Sequence, residues 1–395
     1  MAQRVAERMQ RLGTETAFEV MVRARALEAQ GRDIVHLQIG EPDFDTPAHV
    51  ISATQQALEE GWTHYGPAMG QPDLRQAIAD EVSNTRGITV DPRQVVVTPG
   101  AKPIMFYALL ALAEPGDEII YPNPGFPIYE SMINFAGATA VPLPLREANA
   151  FRFDPDEFRS LVTDRTRLIV LNSPANPTGG MLEAADLAAV AEVARERDIV
   201  VLADEIYGRI IYDGEFASVS SLEGMAERTI ILDGFSKTYA MTGWRLGYGI
   251  FPEWLLPHID RLVVNSVSCT AAFAQRGALA ALKGSQEAVV NMVEEFRKRR
   301  DFVVTRLNQI EGISCLSPRG AFYVFPNVSA LGLPSKQIAD SLLQDSGVAV
   351  LSGTAFGAYG EGYLRISYAN SMANLARALD RIAEAAPKLA ASSRA

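Results

Sequence analysis

The chain has 395 residues, of which 48% are apolar and 21% charged, and its formal net charge is −11. This length can bury a large core and build two units, and the composition is that of an ordinary globular protein. A net acidic chain without a basic stripe excludes nucleic acid and anionic membrane as expected partners. The two cysteines, Cys269 and Cys315, lie far apart and out of metal-ligand spacing, so no disulfide framework is expected and a reducing compartment fits. The four histidines are scattered, and no metal site is expected. Residues 1–11 carry charges and no apolar core, so no signal peptide is read there, and no apolar run reaches membrane-spanning length. A cytoplasmic location follows as the expectation.

In chain order, short β-branched runs at 95–98, 118–121, 168–171, 199–203, 229–232 and 248–251 read as strands that are apolar on both faces. Amphipathic helices alternate with them. One spans 183–197, with Leu187, Val190, Ala191 and Ala194 on one face. The alternation predicts an α/β fold, a mostly parallel sheet sandwiched by helices. After Gly284 the pattern changes. Val289, Val293, Phe296, Val303 and Leu307 recur at helical spacing over a long stretch, which predicts a connecting helix. A strand at 321–325, a helix near Gln337, a strand at 363–367 and a closing helix with Leu375, Leu379 and Ile382 on one stripe follow. The last residues, 390–395, read as a frayed tail. The expected division is a large α/β unit at 47–284 and a smaller α+β unit at 285–395, with residues 1–46 packing on the smaller one.

In an open parallel sheet, ligands bind beyond the C-terminal strand ends. There the chain places Gly100-Ala101-Lys102 opening a helix, the polar run 172–179 with Asn176, the group Asp204-Glu205-Ile206-Tyr207, and Ser236-Lys237. Singly, each has a plainer reading as a solvated lysine, a strand end or a turn. Jointly they match the needs of pyridoxal phosphate. Its phosphate wants the N–H groups of a helix N-terminus, as at Gly100-Ala101-Lys102, and a cation such as Arg245. Its aldehyde needs an amine that is neutral near pH 7, which a partly desolvated Lys237 supplies. Its ring nitrogen needs a buried carboxylate, Asp204, and its ring hydroxyl needs donors, Tyr207 and Asn176.

The run 234–247, GFSKTYAMTGWRLG, resembles the lysine signature of the class I aminotransferases of fold type I without a mismatch. The resemblance extends over nearly the whole chain, through 40–44 (GEPDF), 172–179, 204–207 (DEIY), 320–323 (GAFY) and 365–368 (RISY), and is to the prokaryotic aspartate-aminotransferase-like branch. It implies a fold type I pyridoxal-phosphate transferase in which Lys237 carries the cofactor and then moves the proton. It implies that Phe126 stacks on the cofactor ring, and that Ala101, Lys102, Ser236 and Arg245 surround the phosphate. Tyr65 would reach the phosphate of a neighbouring subunit, which makes a homodimer the expected unit. Arg365 would hold the substrate α-carboxylate as a bidentate fork, helped by Asn176 and the backbone of Gly40. The chain departs from the branch in which a partner's arginine grips a distal carboxylate, for it has no clear match to that residue; either Lys102 would take the role, or its side chain is solvated and only its backbone serves the site. The implied activity is transfer of an amino group between an L-amino acid, with aspartate or glutamate as the first guess, and a 2-oxo acid such as 2-oxoglutarate. A carbon–sulfur β-lyase, a cyclopropane-forming synthase or an oxidase would use the same motifs and stays open. A non-catalytic regulator has no residues left for a second module, and a Rossmann dehydrogenase lacks its glycine fingerprint.

Overall fold

In the computed structural model, which describes residues 5–393, the middle of the chain pairs into one seven-stranded sheet. Its strands are β1 (Val95–Thr98), β2 (Glu118–Asn123), β3 (Thr139–Pro144), β4 (Thr166–Asn172), β5 (Val200–Asp204), β6 (Thr229–Gly234) and β7 (Gly247–Ile250). The spatial order is β1-β7-β6-β5-β4-β2-β3. Neighbours run parallel except at β7, which is antiparallel to both β1 and β6. The reason lies in residues 235–246, a connection with no α-helix to carry the chain back across the sheet, so the strand returns alongside. Every residue of β1, β2, β5, β6 and β7 is buried, as continuous apolar runs require. The edge strand β3 was not expected. Pro142 and Pro144 interrupt its pattern, and such prolines are tolerated because no further strand needs their missing N–H groups.

The expected helix at 183–197 forms as Ala184–Glu196. Glu183 and Asp186 close a capping box at its start, and Leu187, Val190, Ala191 and Ala194 are buried against the sheet. Truncating Leu187 there to Ala costs about 2–5 kcal/mol. The long connecting helix is Glu287–Leu307, and it leads to an antiparallel sheet ordered Leu351–Ser352, Leu364–Ser367, Tyr323–Val324. Helices Ser335–Ser346 and Met372–Ser392 cover it, the latter with Leu375, Leu379 and Ile382 buried. The strand expected at 321–325 is shortened because Ala321 sits at φ 58 in the left-handed region. The expected tail is helical through Ser392, with Leu389 buried; residues 394–395 of it, and residues 1–4 of the charged N-terminal segment, lie outside the described residues. A parallel pair, Val35–His36 with Val348–Ala349, ties the N-terminal segment to the C-terminal elements. Among the described residues no helix is long and apolar enough to cross a membrane.

Candidate active site

The loops after β1, β4, β5 and β6 converge on a cavity of about 570 Å³. Six residues expected from the sequence, Lys237, Asp204, Tyr207, Asn176, Phe126 and Arg365, line it. So do Gly40, Ala101, Lys102, Ser236 and Arg245. Gly100 lies one residue outside the lining. Tyr65 is not brought in: it is 91% exposed, in a surface groove beside Trp62.

Lys237 stands at the cavity floor, and its Nζ donates to the carbonyl of Gly40 at 2.5 Å. Burial pushes its pKa down to about 8; Glu41 opposes this, and Arg365 and Lys102 add to it. An appreciable fraction of the amine is therefore neutral near pH 7. Asp204 ends β5 fully enclosed. Its Oδ2 accepts from the Tyr129 hydroxyl at 2.6 Å, and its Oδ1 accepts from the N–H of Ile206 at 3.2 Å. Burial lifts its pKa to about 6, the two donors hold it down, and Asp233 and Glu205 press it up. It is an anion at pH 7. Alongside, the β4–β5 register sets Asn172 opposite Asp204. Asn172 Nδ2 donates to the Asp204 carbonyl at 3.1 Å, and its Oδ1 accepts from the N–H of Asn176 at 2.8 Å. Behind these, Arg86 donates to Glu205 at 2.9 Å and to Asp233 at 2.6 Å, so one cation is shared between two buried carboxylates.

On the opposite wall the Arg365 guanidinium lies 4.6 Å from the Tyr323 ring centre and 4.9 Å from that of Phe356. It donates to Asn176 Oδ1 at 3.2 Å and to the carbonyl of Gln38. Its Nε is buried with no partner among the described residues. Such an orphaned donor implies a ligand that accepts from it. Tyr207 shares a 2.7 Å hydroxyl bond with Tyr323, and burial lifts its pKa well above the usual phenol value. Lys102 extends its ammonium to 5.4 Å from the Phe126 ring centre, where it pairs with Glu15.

A phosphate cradle is built by Gly100, Ala101 and the start of the helix Lys102–Leu112; Pro103 has no N–H to offer and the Ile104 N–H already bonds the Ala101 carbonyl, so the N–H groups of Ala101 and Lys102 are those an anion would meet. Gly100 sits at φ +87, and a Cβ there would fall 2.2 Å from Arg245 Nη2. Bare backbone thus lets the guanidinium pack directly on Gly100, and a side chain there would displace the cation assigned to the phosphate. With Asp204 for a ring nitrogen and Lys237 for an aldehyde, the donor set fits pyridoxal phosphate. Reading the sequence alone missed Tyr129, Glu15 and Arg86 as parts of this site, and gave no role to Asn172 and Tyr323, which lie in the runs it singled out. Tyr129 had a signal, a phenol three residues after Phe126 on a short helix. Arg86 had a misleading one, because a basic residue at a helix end reads as a dipole partner. Glu15 had none.

An amine, a buried acid and an anion cradle around one cavity define a pyridoxal-phosphate enzyme. The chain belongs to the class I and II aminotransferases, whose family model matches residues 32–382. It is 42% identical to an aspartate aminotransferase of Pyrococcus abyssi, over 89% of this chain and 91% of the relative. It is 41% identical to an aromatic-amino-acid aminotransferase of Thermococcus litoralis, over 90% and 92%. The solved structure of the Thermus thermophilus aspartate aminotransferase with maleate superposes with a TM-score of 0.92 at 37% identity, covering 97% of this chain and 99% of that one. The fold is fold type I, the activity is transamination and the cofactor is pyridoxal 5′-phosphate.

Proposed function

We propose that the enzyme moves the amino group of aspartate or glutamate to a 2-oxo acid such as 2-oxoglutarate, as a homodimer in the cytoplasm. One observation carries the substrate reading: the cavity holds two carboxylate-seeking cations, Arg365 with its unpaired Nε and Lys102, on the walls around Lys237. Relatives named for aspartate support it, and the relative named for aromatic amino acids is why the substrate needs its own test.

The bound cofactor supplies an electron sink for the bond broken at the substrate Cα. Gly100, Ala101, Lys102, Ser236 and Arg245 would hold its phosphate, Phe126 would cover its ring, and Tyr207 and Asn176 would bond its ring oxygen. Asp204, as an anion, keeps the ring nitrogen protonated. Arg365 grips the substrate α-carboxylate through two parallel N–H bonds, with Asn176 and the Gly40 backbone beside it. That grip turns the Cα–H bond toward Lys237, whose neutral Nζ takes the proton and returns it; positioning of this kind supplies much of the rate. The apolar rings of Tyr323 and Phe126 on the cavity wall limit the water around the reacting atoms. Exposed Tyr65 reaches the cofactor phosphate of the second subunit, which is what the dimer requires. We also place a division between residues 47–284, which hold the cofactor, and residues 285–395 with 1–46, which bring Arg365 and Gly40. The cytoplasmic placement rests on two unpaired cysteines, Cys269 and Cys315.

The test is a single-turnover reaction with one amino acid at a time and no oxo acid, followed by the loss of the bound cofactor's visible band. Fast loss with aspartate and glutamate supports the proposal. Conversion only by neutral or aromatic amino acids contradicts the substrate reading, and pyruvate with ammonia as products moves the enzyme to the β-lyase class.

A further inference from the structure

The cation assigned to the distal carboxylate already has a carboxylate on it. We propose that Glu15 is a specificity-determining residue: its side chain occupies Lys102 as an internal substitute for the substrate's distal carboxylate, and a dicarboxylate must displace it to bind. The proposal rests on the reading of Lys102 as the distal-acid site.

Four observations place Glu15 in that position. Glu15 is the N-cap residue of the helix Thr16–Glu28, in extended conformation (φ −96, ψ 110), yet its side chain makes no capping bond. An acid at an N-cap ordinarily accepts from the first turn's N–H groups. This one instead reaches Lys102, 87 residues away in the chain. Its side chain is only 18% exposed, against 46% for Lys102, so the carboxylate points inward and the ammonium meets it from the cavity rim. The N-terminal segment is pinned beside it, since the N–H of Gly13 donates to Ser131 Oγ at 2.8 Å. Finally, Glu15 lines both the main cavity and a smaller adjoining one that ends at Arg365, Phe126 and Phe356. Its negative charge acts on Lys237 and Arg365 together. A carboxylate paired with Lys102, lining the same cavity as Phe126 and within the field of Arg365, takes the place assigned to the second acid of a bound dicarboxylate.

The chemistry of the exchange is even-handed. Carboxylate replaces carboxylate on the same ammonium, so Lys102 loses nothing when substrate enters, and only Glu15 must return to water. Partly exposed ion pairs are worth a factor of roughly two to five in an equilibrium. The internal pair therefore lowers affinity for dicarboxylates by that modest factor. A neutral side chain leaves the Glu15–Lys102 pair intact and bears no such cost. Glu15 thus narrows the gap between acidic and neutral substrates, in a family whose relatives bear the names of both kinds.

The test uses the holoenzyme and calorimetric titration with two unreactive ligands: maleate, with two carboxylates, and 3-phenylpropionate, with one. Wild type, Glu15→Gln, Lys102→Ala and the double variant form a cycle. The expected result is a two- to five-fold tightening of maleate relative to 3-phenylpropionate in Glu15→Gln, and no such change when Lys102 is already Ala. If Lys102→Ala weakens maleate while Glu15→Gln changes nothing, the Glu15 proposal fails and the Lys102 reading stands. If Lys102→Ala leaves maleate untouched, the dicarboxylate reading itself fails. Equal weakening of both ligands by Glu15→Gln overturns the proposal in favour of a purely structural role.

Discussion

Changing Tyr129 to Phe removes one hydroxyl and leaves the ring, so the packing around it is retained and the loss is confined to the 2.6 Å bond to Asp204. A hydrogen bond to a charged acceptor is worth about 1.5–3 kcal/mol. At about 1.4 kcal/mol per pKa unit, the Asp204 carboxyl moves up by about one to two units. Its starting point is about 6, and the groups that remain around it do not compensate. The N–H of Ile206 is one neutral donor, while Glu205 and Asp233 repel the anion and are themselves held by Arg86. At pH 7 the carboxylate passes from mostly charged to between about half and about nine-tenths neutral. The sign is set by the acid: its anion is the working form, so activity is lost on the low-pH side and regained as pH rises. The assay is kcat across pH 5–9, paired with a pH titration of the bound cofactor's visible band. The acidic limb of both should move up by about one to two units, with kcat at pH 7 reduced by about two- to ten-fold and near wild type at pH 9. An unmoved acidic limb, or a loss equal at every pH, would refute the assignment of Tyr129 as the residue that keeps Asp204 ionised.

Arg365→Lys keeps the charge but loses the fork and the stacking on Tyr323 and Phe356. KM for amino acid and oxo acid should both rise by about 10- to 100-fold, and a rise for only one of them would contradict a shared α-carboxylate seat. Gly100→Ala forces a Cβ against Arg245 at φ +87, so cofactor affinity should fall by about ten-fold or more while the fold survives. Equilibrium dialysis reads this directly, and unchanged affinity would remove Gly100 from the cradle. In the cofactor-free protein, an amine-reactive label should modify Lys237 with a midpoint near pH 8, because burial lowers its pKa. A midpoint near about 10.4, that of an ordinary lysine, would show that the cavity does not activate it.

Most of the cofactor side of this site is legible in the chain because strand ends carry it. β4, β5 and β6 are uninterrupted apolar runs, and each breaks into polar residues at the point where the sheet ends, at Asn172, Asp204 and Ser236-Lys237. The edge strand β3 escapes the same reading because Pro142 and Pro144 imitate a loop. The two-residue strands Val35–His36, Val348–Ala349 and Leu351–Ser352 are too short for any periodicity to show. What supports the functional groups is harder still to see. Tyr129, Arg86 and Glu15 act across 75, 119 and 87 residues of sequence, through contacts that only the tertiary fold creates. Arg86 and Tyr129 are a buried charge and a buried hydrogen-bond donor whose local patterns, a helix end and a phenol near Phe126, do not name their partners. Tyr207 illustrates the same limit. Its proximity to the cofactor site follows from the motif, but its bond to Tyr323 joins two motifs 116 residues apart.

The measurement that bears most directly on the whole account is the visible spectrum and turnover of Lys237→Ala, expressed and purified with pyridoxal phosphate present. If Lys237 holds the cofactor and moves the proton, the visible band of the covalently bound cofactor disappears. Transamination then stops, while the far-ultraviolet circular dichroism stays that of the wild type. A variant that keeps both the band and measurable turnover would contradict the assignment of this cavity and its lysine as the catalytic centre.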